Sequence, residues 1–186
     1  PLAIFAPYDF VSGTWTGIYG MSYHGGMIGV SGALWLVALR HRADTVRVMD
    51  FLVPALPAGY FFGRLGNFFN HELVGRVTTS PMGMVFPGDR IARHPSQLYE
   101  AFAEGIILFC VLWPLRNRVR TRGMLTTIYL LLYGVARFCC EFFRAPDAHV
   151  GFVWQGLTMG QVLSLAMIGG ALIALFFIRR DIHRTA

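Results

Sequence analysis

The sequence contains five apolar stretches. Four have about the length that a membrane-spanning helix needs, and the first is shorter and is extended backward through its Gly-rich entry. A helix that crosses the hydrocarbon of a bilayer requires about 20 mainly apolar residues. Segments rich in Arg or in turn-forming residues separate the stretches, so they cannot join into one long helix. We therefore predict an all-α, polytopic membrane bundle with five transmembrane helices, at about residues 26–39, 48–70, 95–115, 124–143 and 158–178.

The composition agrees with a membrane protein. Apolar residues make up 55% of the chain and charged residues only 14%, whereas a soluble domain carries about 25% charged residues. This excludes disorder, a disulfide-rich secreted module and a coiled coil. The basic residues form no single continuous face, so no nucleic-acid partner is expected. No Cys pair or Cys–His spacing is typical of a metal site, so we expect no metal and no cofactor.

The positions of the Arg residues predict an orientation. All 16 basic residues are Arg, and ten of them fall in the segments 40–47 and 116–122 and in the tail 179–186. Only four fall in the alternate segments, and two lie inside apolar stretches. Because basic loops stay in the cytoplasm, we predict a single membrane domain, 1–186, with a cytoplasmic C-terminus and an outward-facing loop at about 71–94.

Small residues recur at four-residue spacing within or beside the apolar stretches. This spacing predicts that helices pack closely there. The pairs are Gly25 and Gly29, Gly59 and Gly63, and Gly156 and Gly160.

Polar side chains inside apolar stretches are costly and indicate a functional site by default. The first of four clusters is GRLGNFFNHELVG, at the outward end of the second stretch. On a helix Arg64, Asn67 and His71 would share one face. Asn70 lies beside that face, and Glu72 follows where the helix ends. A guanidinium with two amides can receive an anionic oxygen group, and an Arg–Glu pair that pins the helix end is an equally good interpretation.

The second cluster is RFCCEFFRAPD, at the outward end of the fourth stretch. Arg137 and Glu141 can pair within a helix. A second Arg at the depth of Arg64 favours a two-Arg anion site, and an internally neutralised stripe that holds the bundle together is the alternative. The stripe consists of Tyr133, Arg137, Glu141 and Arg144.

The third cluster, RHPSQLYEAFAEG, opens the third stretch. Gln97, Glu100 and Glu104 would share one helix face, and we expect the two carboxylates to be structural partners of the buried Arg residues. His94 is expected to be a cap or a surface group.

The fourth cluster, MSYHGGMIG, enters the first stretch. Its His24 precedes two Gly residues, which permit a close approach by backbone or ligand. A lone His at a helix entry is more often structural, but all four clusters map to the outward half of the membrane, as residues around one cavity would.

These segments resemble a known family. GRLGNFFNHELVG is similar at every specified position to the G-R-x-G-N-[aromatic]-x-N-x-E-x-x-G pattern of the prolipoprotein diacylglyceryl transferases. The HGG, RHPSQLYE and EFFRAPD segments also resemble that family, in the same order. The resemblance implies a bacterial inner-membrane enzyme that transfers a diacylglyceryl group from phosphatidylglycerol to the lipobox Cys thiol in the signal peptide of a prolipoprotein and releases glycerol phosphate.

The resemblance also implies roles for particular residues. The essential His of the family falls on His24, and the Arg residues that contact phosphatidylglycerol fall on Arg64 and Arg137. The further substrate-binding candidates are Asn67, Asn70, Glu72, Gly75, Tyr133, Glu141 and Arg144. A free thiol has a pKa of about 8.5 and reacts as the thiolate, so His24 is expected to accept its proton, and the Arg residues are expected to stabilise the departing phosphate.

Two expectations concern what the chain lacks. The family has seven spans and this sequence offers five, so we expect the chain to be a fragment, incomplete as an enzyme on its own. A partner that supplies the remaining spans is the other possibility. The competing function is a lipid or anion transporter subunit with an Arg-lined path, but the sequence shows no repeated halves, which transporters often have.

Overall fold

The computed structural model describes residues 8–9, 14–15, 23–145, 152–154 and 156–185, and most of them are helical. Contacts divide the chain into two compact units, Pro1–Val48 and Met49–Ala186. The predicted helical class is confirmed. Short antiparallel strands, which the sequence analysis did not predict, occur in both units.

The first unit contains a two-stranded hairpin and a long helix. Strand β1 (Tyr8–Asp9) pairs with β2 (Thr14–Trp15), and helix α1 spans Tyr23–Arg40. The Asp44 carboxylate accepts a hydrogen bond of 3.0 Å from the backbone N–H of Val46, which caps the start of the next helix.

The next helix, Thr45–Leu52, begins in the first unit and ends in the second, and the second unit carries the remaining helices. The segment Ser96–Leu115 is one continuous helix, here called the central helix, with a π-helical middle. In chain order the elements are α2 (Thr45–Leu52), a 3₁₀ turn (Val53–Ala55), α3 (Leu56–Phe69), α4 (Ser96–Glu100), the π-helical segment (Ala101–Ile107), α5 (Leu108–Leu115), α6 (Met124–Cys140), β3 (Phe152–Trp154), β4 (Leu157–Thr158) and α7 (Met159–Thr185).

The second apolar stretch is not the single helix that the sequence predicts. Pro54 lies in the 3₁₀ turn and Pro57 lies in the first turn of α3. Proline lacks a backbone N–H and its ring clashes with the preceding turn, so α2 ends at Leu52 and α3 begins anew at Leu56.

An apolar core lies beside the second half of the central helix. It consists of Val53, Leu108, Leu112 and Leu125. α3 packs along the π-helical segment, and α6 packs along α7. The start of α6 is held by Asp50, whose carboxylate accepts hydrogen bonds from the backbone N–H groups of Gly123 (2.6 Å) and Thr126 (2.8 Å).

Two close helix approaches occur at Gly residues outside the predicted pairs. A Cβ on Gly105 would lie 2.7 Å from the Cβ of Phe61, and a Cβ on Gly134 would lie 2.8 Å from Cγ1 of Ile168. By contrast, a Cβ on Gly59 or Gly63 would meet no described atom within 4 Å. The pair Gly59 and Gly63 therefore marks no close contact, whereas Gly160, from another predicted pair, lies against Glu141 at the end of α6.

Two described helices are long and apolar enough to cross a membrane, Ser96–Leu115 and Met159–Asp181. Met124–Cys140 is apolar but shorter. The predicted count of five spans therefore remains a prediction. The segment between α3 and the central helix is irregular and is tied by single bridges, among them Val77 with Arg93 and Met84 with Arg93.

Candidate functional site

Polar residues are buried along the first half of the central helix. Gln97 is fully buried, and Glu100 and Glu104 are each 1% exposed. The predicted helix face that carries Gln97, Glu100 and Glu104 is therefore confirmed, and it points into the protein interior. Burying carboxylates is favourable only where they find cationic or hydrogen-bonding partners.

Glu100 contacts the first predicted Arg both directly and through a tyrosine. The hydroxyl of Tyr60 accepts hydrogen bonds from Arg64 Nε (2.9 Å) and Nη2 (2.7 Å) and donates one of 3.3 Å to Glu100 Oε2. Arg64 Nε also lies 2.9 Å from the same carboxylate oxygen. Arg64 on α3 is thus tied to the central helix both by charge and by a shared hydroxyl.

Glu100 binds the second predicted Arg directly. Arg137 Nη1 donates a hydrogen bond of 2.8 Å to Glu100 Oε2, and Arg137 Nη2 lies 2.9 Å from Glu141 Oε2, one helical turn on. The predicted Arg137–Glu141 pair and the predicted carboxylate partners are both present. We call Tyr60, Arg64, Glu100, Arg137 and Glu141 the Arg–Glu cluster.

Two further predicted residues lie at the edge of this cluster. The ring of Tyr133 meets that of Tyr60 edge-on, with centroids 5.8 Å apart. Arg144 Nη1 lies 3.9 Å from Glu100 Oε2. The structure therefore brings together residues of three of the predicted clusters, since α3, the central helix and α6 each contribute.

The rest of the GRLGNFFNHELVG segment lies beside the cluster. Asn67 accepts a hydrogen bond of 3.4 Å from Arg64 Nη1 and donates one of 3.0 Å to Glu72 Oε2. The backbone carbonyl of Glu72 accepts a hydrogen bond of 2.6 Å from Gln97 Nε2. This chain of contacts links Arg64 to the loop that follows α3.

The predicted place of His71 on the Arg64 face is wrong. α3 ends at Phe69, and His71 has a positive φ of 58°, so the helical spacing does not extend to it. Its ring lies beside Phe86, with centroids 6.2 Å apart. Asn70 is the residue that ends α3, and it is exposed.

Gly75 lies where three backbone segments meet. Its N–H donates a hydrogen bond of 3.0 Å to the carbonyl of His94, and it forms a bridge with Arg144. A Cβ at this position would lie 2.6 Å from the carbonyl oxygen of Phe143. Gly75 is therefore required by close backbone approach and fixes the loop against the end of α6.

Glu141 connects the cluster to α7. Its Oε1 accepts a hydrogen bond of 3.0 Å from the Thr158 hydroxyl. A Cβ on Gly160 would lie 2.7 Å from the carboxyl carbon of Glu141. Gly160 is thus small because a carboxylate occupies the space, and this close approach agrees with the helix packing that its spacing predicted.

Sequence reasoning missed Tyr60 and Thr158. Tyr60 precedes Arg64 by one helical turn, so helical spacing from an intramembrane Arg is a signal that could have found it. Thr158 is distant from Glu141 in sequence, and no local pattern indicates the contact.

Two residues of the predicted clusters lie partly or wholly outside the part of the chain that the structure describes. His24 lies in the first turn of α1, and its side chain lies outside the described part of the structure. The end of the second cluster, Asp147, also lies outside it. His94, expected to be a cap or surface group, is half-buried, and its ring packs against those of Tyr99 and Phe143.

Comparison with known proteins gives the family. The family model for prolipoprotein diacylglyceryl transferase matches residues 2–177. The chain belongs to this family. The family that the four motifs predicted is thereby confirmed, and the apolar helices agree with a membrane protein. Neither the comparisons nor the described contacts favour a transporter subunit.

Named relatives agree with the family. The phosphatidylglycerol–prolipoprotein diacylglyceryl transferase of Chlorobaculum tepidum is 52% identical over 176 residues, which are 92% of this chain and 61% of the relative. The Wolinella succinogenes protein of the same name is 52% identical over 167 residues, 90% of this chain and 60% of the relative. That of Campylobacter lari is 45% identical over 179 residues, 96% of this chain and 65% of the relative. The chain therefore spans less than two thirds of the length of these relatives.

Proposed function

We propose that the protein transfers the diacylglyceryl group of phosphatidylglycerol to the thiol of a lipobox Cys in a prolipoprotein signal peptide. The observation that carries the proposal is the Arg–Glu cluster, in a chain of this family. Arg64 and Arg137, both only 15% exposed at the side chain, meet at one carboxylate. Two such guanidiniums suit a phosphate, because each presents a planar array of N–H donors and stays charged.

The reaction would proceed by displacement at the glycerol carbon that carries the phosphate ester. The thiol loses its proton, the sulfur forms a bond to that carbon, and the carbon–oxygen bond to the phosphate breaks. Negative charge accumulates on the departing glycerol phosphate. Donors that are already in place where this charge develops stabilise the transition state, and that is the role proposed for Arg64 and Arg137.

His24 is the proposed acceptor of the thiol proton. An imidazole changes protonation near neutral pH and is the usual side chain for this task. Asn67, Glu72 and Gly75 would shape the loop beside Arg64, and Asn70 is proposed to contact substrate from the exposed end of α3. Tyr133, Glu141 and Arg144 complete the proposed lipid site on α6.

We also propose the setting in which this happens. The protein would be a multi-pass protein of the bacterial inner membrane, a single membrane domain with five spans in this chain, surrounded by membrane lipids. The segment 71–94 would face outward and the C-terminus would be cytoplasmic, an orientation that the distribution of Arg favours.

The test is a thioether assay on the protein expressed from its complete gene, with phosphatidylglycerol and a lipobox peptide. We expect a diacylglyceryl-modified peptide and equimolar glycerol phosphate. His24→Gln should lower the rate by roughly 100-fold, the usual size of general-base effects, and raising the pH should recover part of it. His41→Gln, on an exposed residue of the same unit, is the matched control. No modified peptide with the unaltered protein would refute the proposed function.

A further inference from the structure

A single oxygen atom joins the two Arg residues of the cluster. Glu100 Oε2 accepts hydrogen bonds from Arg137 Nη1 and from the Tyr60 hydroxyl, and it lies 2.9 Å from Arg64 Nε. The two guanidiniums therefore approach to about two hydrogen-bond lengths. Like charges repel strongly at that separation in a medium of low dielectric constant, so a carboxylate between them is needed to keep them together.

The next carboxylate on the same helix is connected differently. Glu104 follows Glu100 by four residues and is equally buried, at 1% exposure. Neither of its oxygens has a hydrogen-bond partner among the described residues, and its nearest cation, Arg137 Nη1, lies 3.8 Å away. The two residues therefore match in type, helix and burial, and they differ in whether they hold both Arg residues.

Both guanidiniums retain capacity for a further ligand. A guanidinium has five N–H donors. Arg64 bonds Tyr60 and Asn67, and Arg137 bonds Glu100 and pairs with Glu141. These contacts leave donors on each Arg without an acceptor among the described residues.

We propose that Glu100 is the positioning residue of the anion site. It holds Arg64, directly and through Tyr60, beside Arg137. The remaining donors of the two Arg residues can then bind one phosphate of phosphatidylglycerol. The proposal rests on the proposed function, because that function supplies the phosphate. Glu100 itself does not touch the substrate; it acts through the two Arg residues.

Whether removing the charge of Glu100 strengthens or weakens anion binding distinguishes a positioning role from a purely electrostatic one. Removing a negative charge from an anion site should strengthen anion binding if charge alone matters. If Glu100 positions the Arg residues, removing its charge should weaken binding, because the two guanidiniums separate. Glu100→Gln keeps the size of the side chain and an acceptor oxygen, so it tests the charge-assisted contact with little change in shape.

The first measurement is lipid binding, which does not require catalysis. The protein, expressed from its complete gene, is unfolded thermally in detergent micelles with phosphatidylglycerol or with diacylglycerol, which lacks the phosphate. The change in unfolding temperature on adding lipid is measured for each variant against the same variant without lipid. A lower stability of one variant therefore does not affect the comparison. We expect a phosphatidylglycerol-specific shift in the unaltered protein and in Glu104→Gln, and its loss in Glu100→Gln. Tyr60→Phe, which removes one hydroxyl, should weaken it in the same direction if Glu100→Gln does not fold.

The second measurement is transfer kinetics. Glu100→Gln should raise the KM for phosphatidylglycerol about tenfold, the size of one charge-assisted hydrogen bond. The double variant with Arg64→Gln should lose less than the sum of the two single losses, because Glu100 acts partly through Arg64. Equal or tighter lipid binding by Glu100→Gln would overturn the positioning role, and so would an unaltered protein that phosphatidylglycerol fails to stabilise. A third outcome separates the two proposals. If the unaltered protein binds phosphatidylglycerol without transferase activity, and Glu100→Gln abolishes that binding, the positioning role stands and the proposed function is refuted.

Discussion

The two halves of the central helix are buried by different means. Its first half places Gln97, Glu100 and Glu104 in the interior, and its second half places Leu108 and Leu112 there. The polar half is held by defined contacts between individual atoms, such as the bond from Arg137 to Glu100. The apolar half is held by shape, where Leu108 and Leu112 pack with Val53 and Leu125.

The contrast indicates that the two halves of the central helix have different roles. Contacts in the apolar half are numerous, individually weak and replaceable, so this half sets stability. Contacts in the polar half are few and directional, and an unpaired member leaves a buried charge. Substitutions in the polar half should therefore change activity strongly, whereas those in the apolar half should change stability and leave the chemistry intact.

The largest expected effect is that of Arg64→Lys. Lys keeps the positive charge but cannot present a planar fork to both Tyr60 and a phosphate. We expect transfer activity to fall by about 100-fold or more, the size found for removal of one transition-state donor. Activity is measured by the thioether assay on membranes with equal amounts of folded protein.

The control is Arg90→Lys, at an exposed position in the segment 71–94, which should leave transfer nearly unchanged. Near-normal turnover in Arg64→Lys would show that charge alone suffices in the polar half. The contrast between directional and non-directional contacts would then fail.

Helical spacing predicted much of the polar half because helix geometry fixes it. Glu100 and Glu104 share a face at i and i+4, and Arg137 pairs with Glu141 for the same reason. The helix ends were harder. His71 leaves the face of Arg64 because α3 stops at Phe69, and no proline or glycine follows at once to mark that end.

Contacts between elements distant in sequence could be predicted by residue type but not atom by atom. The sequence indicated that Arg and Glu residues would meet, but not that Arg64 and Arg137 would share one oxygen of Glu100. The spacing of Gly160 predicted a helix contact, which is present, but it did not indicate that the neighbour is the carboxylate of Glu141. Such contacts depend on the packing of whole helices, which local patterns do not encode.

A smaller effect is expected from Gly160→Ala. The added Cβ would lie 2.7–2.9 Å from the atoms of the Glu141 carboxyl group, so the carboxylate has to move away from Arg137 and from the Thr158 hydroxyl. We expect about a tenfold fall in transfer, the loss of one hydrogen bond to a charged group. Gly169→Ala is the control on the same helix, because a Cβ there meets no described atom within 4 Å. Equal rates in the two variants would mean that the link from Glu141 to α7 does not affect the site.

The smallest effect on catalysis, and the clearest on stability, is expected from Leu112→Ala. Leu112 is fully buried in the apolar core, and the change leaves a cavity that costs about 2 kcal/mol. That cost is at the low end for Leu→Ala because lipid, and not only water, surrounds the unfolded reference state. Phe102→Ala, on the outer side of the same helix where the ring is 57% exposed, should cost much less. Leu112 is not a member of the Arg–Glu cluster, and Tyr133 packs between the apolar core and Tyr60. If the two halves act independently, kcat and KM per folded molecule should stay within about twofold of the unaltered protein. A large fall in kcat at unchanged KM would show that packing in the apolar half determines the geometry of the Arg–Glu cluster. The two halves of the helix would then act as one unit.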